Sequence, residues 1–151
     1  MTNFRRQYGL VSMATLGLKI AREEWEAALQ WADVALREHQ SVTDAELKVA
    51  TTLHSKAIAL AQLGDYEAAF ETIAQARSIY KDFDDLSNLI KADYVTTFTY
   101  AKKGDLKQAR KLLRTLRQRV DKHPSSGFRD KMHNTFDQLT QDMKSGGRFN
   151  P

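Results

Sequence analysis

No cysteine occurs in this sequence. That removes a disulfide framework, a thiolate nucleophile and any cysteine-ligated zinc or iron–sulfur cluster, and leaves no argument for an oxidising compartment. Only two prolines and seven glycines are spread over 151 residues. The long uninterrupted stretches between them favour an all-helical fold over a β-rich one. No stretch reaches the roughly 18 consecutive apolar residues that a membrane-spanning helix needs, so no membrane association is expected. Arg5 and Arg6 precede the mildly apolar GLVSMATLGL as in a secretion signal, but Lys19 and Glu23 follow at once without an A-x-A cleavage pattern, so export is not expected. The G-x-S-x-G elbow, the phosphate-cradling Gly-rich loop and the H-E-x-x-H pair are also missing. Neither an enzyme nor a cofactor is therefore expected.

What is present is helical periodicity, and with 42% hydrophobic residues the chain can bury a core as one domain over residues 1–144. The central stretch, residues 53–76, reads LHSKAIALAQLGDYEAAFETIAQA. Leu53, Ala57, Leu60 and Ala61 recur at helical spacing, Gly64 and Asp65 interrupt, and Tyr66, Ala69, Phe70, Ile73 and Ala76 begin a second stripe. A helical hairpin is predicted. Gly64 would close the first helix in the left-handed conformation and Asp65 would accept the orphan N–H groups of the second. The small residues Ala57, Ala69 and Ala76 would let the two backbones approach closely.

Elsewhere a helix is predicted over 4–21, with Phe4, Tyr8, Val11, Leu16, Leu18 and Ile20 as core; Gly9 and Gly17 blur its face. A cleaner one over 24–38 carries Trp25, Ala28, Leu29, Ala32 and Ala35 on one side. Thr43 and Glu46 form a capping box before a helix over 44–63. The acidic run Asp82, Asp84, Asp85 suits the N-terminus of a helix reaching Lys102, and Gly104 and Asp105 repeat the Gly-Asp turn. Leu106, Ala109, Leu113 and Leu116 lead a helix to Val120. After HPSSG, a last helix over 126–143 carries Phe128, Met132, Phe136, Leu139 and Met143 at spacings of four, four, three and four, and residues 145–151 are expected to be a disordered tail. The hairpins are thus expected over 4–38, 43–80 and 85–121.

The hairpins superimpose in sequence. Trp25, Tyr66 and Leu106 are 41 and 40 apart, and so are Ala28, Ala69 and Ala109; Ala32, Ile73 and Leu113; and Ala35, Ala76 and Leu116. Together with the Gly-Asp-Tyr turn and its following alanines, this pattern resembles the tetratricopeptide repeat, in a form longer than the usual ~34 residues, over roughly residues 10–120. It looks like the long-helix repeats of bacterial regulators and peptide receptors. The resemblance implies a right-handed α–α superhelix of about three hairpins with a capping helix. It also implies a non-enzymatic adaptor or scaffold of the bacterial cytoplasm, with a dedicated chaperone of a secreted or assembly partner as an alternative. In the first repeat, Glu23 and Glu24 stand where Gly-Asp should be, and Gly17 fits the small-residue position only if one residue is missing. In the third, Asp93 takes the column of Leu53, which is expected to rotate the helix toward Ile90, Tyr94, Thr97 and Ala101 rather than leave a carboxylate to pair with a lysine.

The family's concave groove maps onto Thr51, His54, Ser55, Ile58 and Gln62 in the second repeat and Lys91, Tyr94, Val95, Phe98 and Lys102 in the third. None is asparagine, so the clamp that grips the C-terminal carboxylate of heat-shock chaperones is not implied. An apolar groove around Ile58, Tyr94 and Phe98 rimmed by Lys91 and Lys102 suits an amphipathic partner with acidic character, unless Tyr94 and Phe98 are simply core.

Charge is the other feature. Residues 102–122 hold nine basic and two acidic residues, a local +7 in a chain of +4, so the remainder is −3. Lys107, Arg110, Lys111, Arg114 and Arg117 fall on one helix side, away from Leu106, Ala109, Leu113 and Leu116. The stripe reads first as a solvated face, then as a dock for an acidic protein, and last as a nucleic-acid surface, since no aromatics interleave it. Homo-oligomerisation is left open. His133, with Asp130 and Asp137 at helical spacing, has the elements of a metal site, but a solvated face is the expected role.

Overall fold

Three turns related by the repeat decide how the helices fold back on one another. The computed structural model describes residues 2–40, 42 and 44–146, with backbone alone for residues 2–6 and 8. Among these are seven helices and no strand: α1 Thr2–Ala21, α2 Trp25–Gln40, α3 Glu46–Gln62, α4 Tyr66–Asp82, α5 Leu86–Lys103, α6 Leu106–Asp121 and α7 Ser126–Ser145. Gly64 (φ +85°) and Gly104 (φ +97°) end α3 and α5 in the left-handed conformation. The next N–H then reaches back five residues, Asp65 to Leu60 and Asp105 to Tyr100, both at 2.9 Å. In the first hairpin Glu23 takes the same conformation (φ +57°) and Glu24 N–H reaches the Lys19 carbonyl at 2.9 Å. The first repeat is therefore regular in backbone despite lacking glycine there, and it holds a side chain where one is unfavourable.

Capping is less uniform than expected. Asp85 and Asp105 each accept the N–H three residues on, Asn88 and Gln108. Asp65 does not; its carboxylate makes no cap bond, and only its carbonyl joins the helix, accepting from Ala69 N–H. The capping box at Thr43 lies outside the described residues. α3 begins at Glu46 behind Ala45, which supplies no side-chain cap.

The predicted columns are the buried ones. Ala28, Ala69 and Ala109 are each 0% exposed, and Ala32, Ile73, Leu113, Ala35, Ala76 and Leu116 are all buried with them. In each hairpin the second helix thus turns an alanine-led stripe onto the first, and consecutive hairpins stack through the same stripe. The arrangement is all-α, built of consecutive packed hairpins as in a helical repeat.

α1 departs from its expected face. Leu16 is buried and Ile20 half-buried, but Val11 is 60% and Leu18 46% exposed, while Gly9 and Ser12 point inward; Phe4 and Tyr8 lie outside the residues whose side chains are described. The cause is His39. Its ring packs on Gly9 so closely that an added Cβ would sit 2.7 Å from it. Gly17 is exposed with nothing within 4 Å, so it is not the small contact residue. The column of Ala57 is filled instead by the larger Leu16, buried and 41 residues before it, so no deletion is needed.

α7 closes the other end. Ser125 caps it by accepting from Phe128 N–H at 3.2 Å. Met132, Phe136, Leu139 and Met143, all at most 5% exposed, cover the cluster that includes Tyr94, Phe98, Leu113 and Leu116. The helix continues to Ser145, two residues past the expected end.

Candidate functional site

α3, α5 and α7 share a cleft of about 240 Å³. His54 and Ile58 come from α3, and Lys91, Tyr94, Val95 and Phe98 from α5. These are six of the ten groove positions expected from the repeat, gathered by the 40-residue spacing of equivalent helices. Lys131, Met132 and Thr135 of α7 supply a third wall. From its sequence that helix is expected to be a cover alone, yet its Lys131 and Thr135 flank Met132 at helical spacing and bring polar groups to the cleft beside an apolar one.

Tyr94 and Phe98 are 6% and 0% exposed, so they form the floor of the cleft and also belong to the core. Tyr94 stacks obliquely on Phe136 with ring centroids 5.7 Å apart and lies 6.5 Å from Phe98. Burial, and then the neighbouring Asp142, push the Tyr94 phenol pKa up, which keeps it neutral. What remains reachable is the rim: His54, Ile58 and Lys91 are half-buried. Burial, reinforced by Lys91, pushes the His54 imidazole down from 6.5 to about 4, so it is neutral near pH 7. Lys91 also lies 6.0 Å over the Phe128 ring.

Four expected groove residues are elsewhere. Ser55 and Gln62 are half-buried outside the cleft. Lys102 contributes its carbonyl to the Tyr66 hydroxyl at 3.2 Å. Thr51 turns toward α4, where Tyr80 Oη donates to its hydroxyl at 3.3 Å.

Asp93 resolves in a way the sequence reading did not favour. Ile90, Tyr94, Thr97 and Ala101 are buried as expected, yet the carboxylate is paired as well, with two arginines rather than a lysine. Arg77 Nε and Arg119 each donate to it at 2.6 Å, one from α4 and one from α6, tying three helices together.

The basic stripe divides. Lys107, Arg110, Lys111 and Arg114 are exposed, but Arg117 is half-buried, donates to Asp137 at 2.8 Å and lies 5.6 Å over the Phe136 ring. It is a link between α6 and α7 and not part of an open face. His133 does the same rather than standing on a solvated face: its Nε2 lies 2.7 Å from Asp121. No group of three or more histidine and carboxylate side chains that could hold a metal occurs among the described residues. No helix there is long and apolar enough to cross a membrane. Among the described residues two polar side-chain atoms are buried without a partner, His39 Nε2 and one Asp142 oxygen.

No protein-family model, no curated protein and no solved structure matches this chain.

Proposed function

We propose that this protein is a non-enzymatic protein-interaction module of the tetratricopeptide kind, which holds an amphipathic peptide or helix of a partner in the α3/α5/α7 cleft. The observation that carries the reading is the lining itself: an apolar floor of Tyr94, Val95, Phe98 and Met132, with Ile58 at its edge and Lys91 and Lys131 on the rim. Such a surface rewards an apolar anchor flanked by carboxylates. His54, half-buried and held neutral by desolvation, adds a hydrogen-bonding group without adding charge. A nucleic-acid role for α6 has less support, because Arg117 is engaged by Asp137 and no aromatic side chain stands among Lys107, Arg110, Lys111 and Arg114 to stack on bases.

Selection from a library of displayed peptides tests the reading. Sequences combining two or more apolar residues at helical spacing with acidic neighbours should be enriched, and their binding should persist at high salt. Ile58→Arg should abolish capture while leaving the helical signal intact, and Lys111→Glu should not. Failure to enrich any sequence, or capture indifferent to Ile58→Arg, would overturn the proposal.

A further inference from the structure

A second cleft, of about 320 Å³, opens between α6 and α7. Its floor is Leu113, Thr140 and Met143, and Arg110, Arg114 and Lys144 stand around it. None of these three cations has a carboxylate partner among the described residues; the fourth, Arg117, is already neutralised by Asp137. The cleft therefore presents three uncompensated positive charges around an apolar floor. An occupant must bring an apolar anchor with carboxylates on both sides of it.

The same chain carries such a segment. The turn between α4 and α5 reads Asp82-Phe83-Asp84-Asp85-Leu86. Phe83 is 51% and Leu86 47% exposed, so both are available to a partner. Asp82 and Asp84 are exposed with no cationic partner among the described residues, while Asp85 is occupied in capping α5. Asp84 holds the left-handed conformation (φ +51°) at the apex of the turn.

The turn cannot reach the cleft of its own molecule. It lies at the N-terminal end of α5, whereas Arg110 follows the turn that ends α5 and Lys144 lies at the end of α7, which runs parallel to α5. Arg110, Leu113 and Arg114 lie one to two turns into α6, which runs back along α5, so the cleft stands about 15–20 Å from the turn along the helices. Two different patches that cannot meet within one molecule can meet head to tail between copies.

We propose that the protein self-associates head to tail, the acidic Asp82–Leu86 turn of one copy seating Phe83 on Leu113 and Met143 of the next, with Asp82 and Asp84 against Arg110, Arg114 and Lys144. The contact is independent of the α3/α5/α7 cleft, which stays open in each copy, so assembly would present several peptide-binding sites in a row.

Sedimentation velocity of the full chain tests this. At low salt the mean mass should climb with concentration past that of two chains, and it should fall back as salt is added. Arg110→Gln with Arg114→Gln removes the receiving charges. Asp82→Asn with Asp84→Asn removes the donated ones, and asparagine tolerates the left-handed position. Each double variant alone should associate at least ~10-fold more weakly than the wild type. An equimolar mixture should recover association but stop at two chains, because the first variant still owns an intact turn and the second an intact cleft. Phe83→Ser should weaken assembly in the same way at any salt concentration. Thermal unfolding of each variant checks that the fold is retained. A wild type that stays monomeric up to about 100 µM at low salt, where contacts of even modest affinity populate, would overturn the proposal. So would a mixture that assembles no better than its components, or double variants that assemble as well as the wild type.

Discussion

His54 couples the α3/α5/α7 cleft to pH. Burial holds its pKa at about 4 in the folded chain against an ordinary 6.5. Between those values the unfolded chain binds a proton that the folded chain refuses, so stability is complete above pH 6.5 and is lost as pH falls toward 4. For a fully dry ring the gap is worth roughly 2 kcal/mol between pH 7 and pH 5. His54 is only half-buried, and water at its edge reduces this to about 1–2 kcal/mol. Burial also lowers His39, which adds loss of the same sign. The useful measurement is therefore the difference between the wild type and His54→Gln, in urea titrations at pH 7, 6 and 5. The wild-type midpoint should fall faster with acidity, and the two curves should diverge by that 1–2 kcal/mol at pH 5. Parallel curves across this range would show that the His54 ring is solvated in the folded protein and that burial does not hold it neutral.

Ala69→Leu and Ala109→Leu, both at fully buried helix contacts, should each destabilise by about 1–3 kcal/mol, because added methylenes force the helices apart; unchanged thermal midpoints would contradict the register. Glu23→Gly should stabilise by roughly 0.5–1 kcal/mol and Gly104→Ala should destabilise by a similar amount. Both follow from backbone conformation alone, since nothing lies within 4 Å of a Cβ at Gly104; equal midpoints for all three proteins would refute the strain. Asp93→Ala should cost about 2 kcal/mol, between the values for exposed and buried pairs, by leaving Arg77 and Arg119 without a counter-charge. Arg77→Ala alone should cost less, because Arg119 remains; an equal loss from both variants would show that the two arginines do not share the carboxylate. Removing residues 126–151 should expose Phe98, Leu113 and Leu116 and drive aggregation, seen as light scattering on purification; a monomer of equal stability would deny α7 its covering role.

The hairpins were legible because their determinants are local. A stripe of apolar residues and a glycine at the turn are both readable within about 20 residues, and repetition at 41 and 40 fixed which stripes correspond. The same repetition carried the groove, since equivalent positions on α3 and α5 become neighbours once the hairpins stack. What escaped notice depends on partners far along the chain. Asp93 meets Arg77 and Arg119, which lie 16 and 26 residues away on different helices. Val11 and Leu18 look like core by composition, yet α1 is the end of the stack and has only one flank covered. The inward position of Gly9 reflects the bulk of His39, 30 residues later. Arg117 shares a helical side with Arg110 and Arg114 but lies where α7 crosses, so its environment is set by Asp137 and Phe136 rather than by its own helix.

α7 deserves a different physical account from a lid laid over an exposed flank. Its two polar links to α6, Arg117 to Asp137 and His133 to Asp121, each leave the carboxylate about two-thirds exposed, so each is worth no more than about 1 kcal/mol. The weight of attachment falls on Met132, Phe136, Leu139 and Met143, each nearly or fully buried, where burial contributes about 1.5–3 kcal/mol per large side chain. Apolar packing therefore holds the helix, and the polar links select its position along α6. That position matters because Met132 and Phe136 meet Tyr94 on one side while Lys131 and Thr135 face the α3/α5 cleft on the other. A shift of α7 by one turn would replace the cleft wall and carry one end of this apolar row off the core. The Arg117–Asp137 and His133–Asp121 pairs add to the packing that opposes such a shift, so contacts at the back of the helix help to hold the shape of the cleft at its front.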